Sequence, residues 1–180
     1  MTRLTGPCCR SAARRSKAWR TRRGAEGVIV ADANHLGGFS LFVQDGKLKH
    51  TYAFLGVFEY RQESEGVLPT GDVTVQMAFV ADEAKPATPG EVMLYVNGKP
   101  VGSGRLDHTV PFGFSGYSGL DVGRDNGLVV DRGYASKAPF AFTGTVKKVV
   151  FDVAPHPDGN DEAALHAHAH QAHAARGINA

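Results

Sequence analysis

Four histidines near the carboxyl end have a spacing that could support metal chemistry. His166, His168, His170 and His173 stand in an Ala-rich stretch. On a helix, His166 and His170 (i, i+4) would share a face, as would His170 and His173 (i, i+3), and imidazoles bind Zn²⁺, Ni²⁺ or Cu²⁺. A functional metal site also needs further ligands and supporting partners, which the sequence does not display. We therefore expect only modest, incidental metal binding at His166, His170 and His173, and we assign no cofactor.

The two cysteines offer little for nucleophilic catalysis. Cys8 and Cys9 are adjacent in an Arg-rich segment, and no base can be assigned to either of them. Cysteine hydrolases need a positioned base beside the nucleophile, so we expect no such activity. An adjacent pair also provides no disulfide framework, and the fold must therefore depend on burial of apolar side chains.

Paired carboxylates are the remaining catalytic candidates, because glycosidases place two of them about 5–9.5 Å apart. The nearest pattern is Glu59, Glu63 and Glu65, but Gly66 and Pro69 interrupt the alternation that would put them on one strand. A solvated loop is the favoured interpretation. We therefore assign no catalytic residues and predict that the chain is not an enzyme on its own.

Two further acidic residues, Asp121 and Asp125, flank Gly123-Arg124. A Ca²⁺ site or a structural ion pair is one interpretation. An ordinary turn with an Asp–Arg contact is the favoured one.

The formal net charge of +2 conceals an uneven distribution. Residues 1–24 carry eight Lys or Arg and no acid, so the remaining 156 residues have a net charge of −6. An acidic body argues against nucleic-acid binding, which requires clustered basic charge. No apolar run is long enough for a membrane span, and Arg14-Arg15 lacks the apolar stretch of an export signal. We therefore expect no membrane partner and, by default, a cytoplasmic location.

Residues 25–153 have the pattern of successive short strands, without a helical period. Asp45-Gly46 and Asn97-Gly98 are typical of type I′ hairpin turns, and Pro100 favours an edge strand because it lacks a backbone donor. The pattern predicts an all-β antiparallel sandwich or barrel. The strands are predicted at residues 27–31, 39–43, 48–54, 57–61, 73–80, 91–96, 99–106 and 140–153, with shorter candidates at 120–123 and 129–130.

Two segments flank this β-rich domain. Residues 1–24 show no hydrophobic period and are predicted to be a disordered basic segment. Residues 154–180 begin with a Pro/Gly/Asp linker and end in an Ala/His-rich stretch. A short terminal helix is predicted there, with Asn160 as a candidate N-cap.

Five segments, in the same order, resemble the C-terminal region of long bacterial arylsulfatases. They are residues 25–31, 36–48, 94–102, 120–125 and 139–145. The resemblance implies a jelly-roll (concanavalin A-like) β-sandwich that follows an alkaline-phosphatase-like catalytic domain. It also implies an accessory function, in which this domain packs against the sulfatase catalytic domain and helps to frame its substrate cleft.

The chain departs from the family in two ways. Nothing of the catalytic domain is present, and Cys8-Cys9-Arg10-Ser11 lacks the proline of the family's C/S-x-P-x-R nucleophile motif. The family's domain also begins with a strand before the position of Ala25, where this chain is Arg-rich. We therefore expect a truncated, non-catalytic fragment of a bacterial arylsulfatase-like sulfuric ester hydrolase.

The alternative is a free-standing carbohydrate-binding β-sandwich module. Sandwich folds host such functions, but the fold is only an associational argument. A rim of exposed aromatic side chains near Asp and Asn would favour sugar binding. A flat apolar patch would favour a domain separated from a protein partner.

Overall fold

A computed structural model of the protein describes residues 2–4, 19–21, 24–34, 37–83, 85–110 and 119–152. Within these residues the chain forms twelve strands and one 3₁₀ helix, η1. They are β1 (Thr2–Leu4), β2 (Trp19–Thr21), β3 (Gly27–Asn34), β4 (Gly37–Gln44), β5 (Lys47–Phe54), β6 (Phe58–Glu63), β7 (Gly71–Val73), β8 (Val75–Ala81), β9 (Gly90–Val96), β10 (Lys99–Leu106), β11 (Leu120–Val122), η1 (Arg132–Lys137) and β12 (Val149–Phe151).

The strands form two five-stranded sheets and one small pair. The front sheet has the order β11-β3-β4-β5-β6, and all its neighbours are antiparallel. The back sheet has the order β10-β9-β8-β1-β12, in which β1 is parallel to both of its neighbours. The pair is β2 with β7. The prediction of an all-β fold is confirmed.

One apolar core is shared by the two large sheets. Successive side chains of a strand point to opposite faces, and Phe39, Leu41 and Val43 of β4 accordingly share a buried cluster with Met77 and Phe79 of β8. This cluster is continuous through β3, β5, β9 and the end of β10. Burial of these side chains is the main source of stability, since each contributes about 1.5–3 kcal/mol when fully buried.

A third layer, which includes η1 and Phe140 and which we call the covering layer, lies on the outer face of the front sheet. Phe42 points away from the main core and meets the ring of Tyr134 edge-on, with centroids 4.9 Å apart, and Phe140 lies beside both. The Tyr134 hydroxyl donates to Asp125 Oδ2 at 2.7 Å and lies 3.0 Å from Ser40 Oγ. The middle of the front sheet is therefore buried on both faces.

Both predicted hairpin turns are confirmed. Asp45 and Gly46 have φ values of 56° and 72°, and Asn97 and Gly98 have values of 50° and 80°. Positive φ at both central positions is the requirement of a type I′ turn. Pro100 lies in β10, at the edge of the back sheet, where the register with β9 shifts. The expected edge position is therefore confirmed as well.

The long strand predicted for residues 140–153 is wrong. The structure has a single bridge from Ala141 to β3 and then the three-residue strand β12. Phe140 is buried with a φ of 42°, which a strand does not permit. The backbone N–H of Phe142 donates to the oxygen of Gly123 at 2.8 Å. The backbone of residues 140–142 therefore joins the covering layer to the front sheet instead of extending a sheet.

Residues 1–24 are predicted from the sequence to be a disordered basic segment. Within residues 1–24, however, β1 lies between β8 and β12, and β2 pairs with β7. Ladder hydrogen bonds use only the backbone, so an Arg-rich composition does not prevent such pairing. The linker and helix predicted for residues 154–180 lie outside the described residues. No helix in the described part of the chain is long and apolar enough to cross a membrane.

Candidate protein-interaction site

The predicted metal ligands and cysteines cannot be placed in a site. His166, His170 and His173 lie outside the described residues, as do Cys8 and Cys9. Among the described residues, no group of three or more His, Cys, Asp or Glu side chains is arranged to hold a metal ion.

Two of the three carboxylates considered for catalysis are engaged in ion pairs. Glu59 and Glu63 belong to β6, so the strand predicted at residues 57–61 is confirmed for Glu59, whereas the loop predicted around Glu63 is wrong. Glu59 Oε1 lies 3.1 Å from Arg132 Nε, and Glu63 Oε1 accepts from Lys47 Nζ at 2.7 Å. The lysine lowers the pKa of Glu63, so this carboxylate is a poor proton donor.

Asp121 lies in β11 and Asp125 in the irregular segment that follows it, and among the described residues neither carboxylate makes the expected contact with Arg124. Asp121 accepts from the backbone N–H of Asn126 at 2.7 Å and from its side-chain amide at 3.0 Å. Asp125 is buried and accepts from Tyr134, and burial raises its pKa. Both residues therefore have a structural role.

The turn between β5 and β6 has an unusual surface. Leu55, Val57 and Phe58 are 46%, 71% and 45% exposed. Hairpin turns are usually built from Gly, Asn, Asp and Ser, so two large apolar residues in this turn, followed by a third at the start of β6, need another explanation. We refer to Leu55, Val57 and Phe58 as the apolar turn patch.

The backbone of this turn is poorly suited to a leucine. The N–H of Val57 donates to the oxygen of Phe54 at 2.9 Å, closing a turn around Leu55 and Gly56. Their φ values are 51° and 68°. Glycine adopts such a conformation freely, but a bulky side chain there costs about 1–2 kcal/mol. Leu55 therefore does not stabilise the turn.

Behind the patch lies a stack of aromatic rings. The imidazole of His108 is parallel to the ring of Phe58, with centroids 4.8 Å apart and an interplanar angle of 3°, and lies 5.5 Å from the ring of Phe54. The Tyr60 hydroxyl lies 2.5 Å from His108 Nδ1. Burial and the charge of Asp107 raise the pKa of Tyr60, so its hydroxyl stays protonated.

The aromatic stack continues into the main core. The rings of Tyr60 and Tyr52 lie 6.4 Å apart, and the Tyr52 hydroxyl accepts from the backbone N–H of Val110 at 3.0 Å. Tyr52 is fully buried. The apolar turn patch is thus held on a rigid support.

A charged group borders the patch. Arg132 Nη2 donates to the oxygen of Gly56 at 3.4 Å, while Arg132 Nε lies 3.1 Å from Glu59 Oε1. The arrangement places an exposed guanidinium beside exposed apolar side chains. Aromatic residues and arginine, here Phe58 and Arg132, are enriched at the centres of protein–protein interfaces.

The patch was not identified from the sequence. Its signal is Leu55-Gly56 between two strand-like runs, a hairpin turn with no polar residue. Comparison with protein-family models, with curated proteins and with solved structures finds no match for this chain.

Proposed function

We propose that this chain is a non-catalytic β-sandwich accessory domain that docks onto a larger protein, with the apolar turn patch as its contact surface. The observation that carries the proposal is the exposure of Leu55, Val57 and Phe58 side by side, in the turn between β5 and β6 and at the start of β6. Exposed apolar groups bounded by polar residues mark protein interaction sites. Burial of the patch in a complex would remove its apolar surface from water, which favours association.

The partner in this proposal is the catalytic domain of a bacterial arylsulfatase. The support for that choice is the resemblance of five ordered segments to the region that follows such a domain. In this role the chain would supply no catalytic group and would act by packing against the partner.

Sugar binding at the same patch is less favoured by the geometry. Sugar rings stack on exposed aromatic faces, whereas Leu55 and Val57 are aliphatic. One face of the only aromatic ring in the patch, Phe58, lies against His108. Aliphatic side chains on a rigid turn suit an apolar protein surface better.

The test mixes the full chain with the catalytic domain of a homologous arylsulfatase, expressed without its own C-terminal region. Binding to the folded state raises the melting temperature, so we expect an upward shift with the partner. Val57→Glu should abolish that shift. Val67→Glu is the matched control, because Val67 is 72% exposed but lies outside the patch.

The expected pattern is therefore a shift for the wild type and for the Val67 variant, but not for the Val57 variant. The absence of a shift with the wild-type chain would overturn the proposed partner. An equal loss in both variants would overturn the assignment of the patch. Melting of each variant alone by circular dichroism shows that it is folded.

A further inference from the structure

A cavity of about 300 Å³ opens on the outer face of the front sheet, in a region that the proposed docking does not use. Outward-facing side chains of β4, β5 and β6 form its floor, and the start of η1 forms one wall. The polar groups that matter are Gln44, Lys49, Arg61, Glu63 and Asp131.

The wall of the cavity is fixed by hydrogen bonds. Asp131 Oδ2 accepts from Arg61 Nε at 3.0 Å and from the hydroxyl of Thr51. Asp131 Oδ1 accepts from the backbone N–H of Gly133 at 2.5 Å and from Arg61 Nη2 at 3.2 Å. Because four donors hold this carboxylate, the guanidinium of Arg61 is also held in place. A preorganised site loses less entropy when it binds a ligand.

Other groups in the cavity keep hydrogen-bonding capacity. Lys49 Nζ has three N–H donors and, within the described residues, makes one hydrogen bond, to Asp45 Oδ2 at 3.2 Å. Arg61 uses Nε and Nη2, which leaves the two N–H groups of Nη1. Glu63 Oε2 lies 3.8 Å from Lys49 Nζ, beyond hydrogen-bonding distance.

These groups define the chemistry of a ligand. Lys49 and Arg61 donate, Glu63 accepts, and the amide of Gln44 does both. Two cations and two carboxylates, those of Glu63 and Asp131, balance one another in charge, which disfavours a ligand with net charge. The cavity therefore fits a neutral molecule that carries several groups able both to donate and to accept.

We propose that this cavity binds one ring of a neutral sugar. Hydroxyl groups both donate and accept, which matches the mixture of groups in the cavity. Ligand cavities generally measure roughly 300–1,000 Å³, so this one suits a single ring. Glu63 and Arg61 are half-exposed at the mouth, which leaves room for a sugar ring to enter. The proposal is independent of the docking function proposed above.

The test titrates the isotope-labelled full chain with neutral monosaccharides (glucose, galactose and mannose) and follows backbone amides by NMR. For a ligand of this size we expect a dissociation constant on the order of 1 mM. Saturable shifts should appear at the amides of Gln44, Thr51 and Gly133. Glucuronate and inorganic phosphate, which carry negative charge, should bind more weakly.

Two lysines that each make an ion pair provide matched variants. Lys49→Met removes the ammonium donors of a cavity residue and should weaken sugar binding at least about fivefold. Lys85→Met should leave binding unchanged, because Lys85 lies in the loop before β9, outside the cavity, and pairs with Glu83, which is also outside it. Both should melt close to the wild-type temperature, because surface ion pairs contribute little.

Three results would overturn the proposal. The first is the absence of saturable shifts with every neutral monosaccharide. The second is tighter binding of glucuronate or phosphate than of the neutral sugars. The third is shifts confined to the Phe58–His108 stack, or equal weakening in the Lys49 and Lys85 variants.

Discussion

Arg61 Nε and Nη2 donate to the two carboxylate oxygens of Asp131 at 3.0 and 3.2 Å, joining β6 to the N-cap of η1 across 70 positions of sequence. Burial by itself would raise the pKa of Asp131. Hydrogen bonds from Arg61, Thr51 and Gly133 outweigh this effect and hold the pKa below its ordinary value. The pair thus fastens the covering layer onto the front sheet.

Substitution of this carboxylate should therefore be costly. Asp131→Asn removes the charge and leaves the Arg61 guanidinium without its buried partner, so we expect a loss of about 1.5–3 kcal/mol in the free energy of unfolding. Urea denaturation measures the change. Glu83→Gln breaks the exposed pair with Lys85 and should cost less than about 0.5 kcal/mol. Similar costs for the two variants would contradict the structural role of Asp131.

His50 should make stability depend on pH. It is buried in the core, with Nδ1 2.7 Å from Gln62 Oε1, and its Nε2 has no hydrogen-bond partner within the described structure. Burial lowers the pKa of His50 to about 4, against a smaller opposing effect of Gln62. In the unfolded chain the pKa is about 6.5, so the unfolded state binds the proton more readily.

The direction of the effect follows from linkage. The pKa of His50 is lower in the folded state than in the unfolded state. Its contribution to the free energy of unfolding is therefore fully present above about pH 6.5 and is lost as the pH falls toward 4. The loss amounts to about 3 kcal/mol at most. Urea denaturation between pH 4 and 7 measures the slope, and NMR of the imidazole follows the titration. An imidazole that titrates near pH 6.5 in the folded protein would refute this prediction.

Leu55 should be replaceable with a gain in stability. Asparagine tolerates the positive φ of this position better than leucine, so Leu55→Asn should raise the free energy of unfolding by about 1 kcal/mol. The same variant should weaken docking, because it removes part of the apolar turn patch. Val57→Asn is the comparison, since Val57 is not at positive φ and should show no such gain.

The denaturation midpoints of the Leu55→Asn and Val57→Asn variants show whether Leu55 stabilises the fold or strains the turn. If Leu55→Asn destabilised the protein, the leucine would belong to the fold and not to an interface. That result would remove the argument from backbone strain.

The turn residues and the pattern of apolar residues allowed much of the fold to be predicted. Asp45-Gly46 and Asn97-Gly98 specify their turns because the required φ values depend on the residues themselves. The alternating apolar residues of β4, β5, β8 and β9 specify strands because successive side chains of a strand point to opposite faces. The exposure of the apolar turn patch was not predictable in this way, because an apolar turn is buried in one fold and exposed in another.

The sequence by itself determined the all-β class, the two hairpins and the edge position of Pro100, since these depend on the local apolar pattern, the φ of the turn residues and the missing backbone donor of proline. Only the tertiary structure decided the place of β1 between β8 and β12, the course of residues 140–148 and the pairing of Arg61 with Asp131. In each of these cases the hydrogen-bond partner lies dozens of residues away, and proximity arises only when the two sheets and their covering layer have packed together.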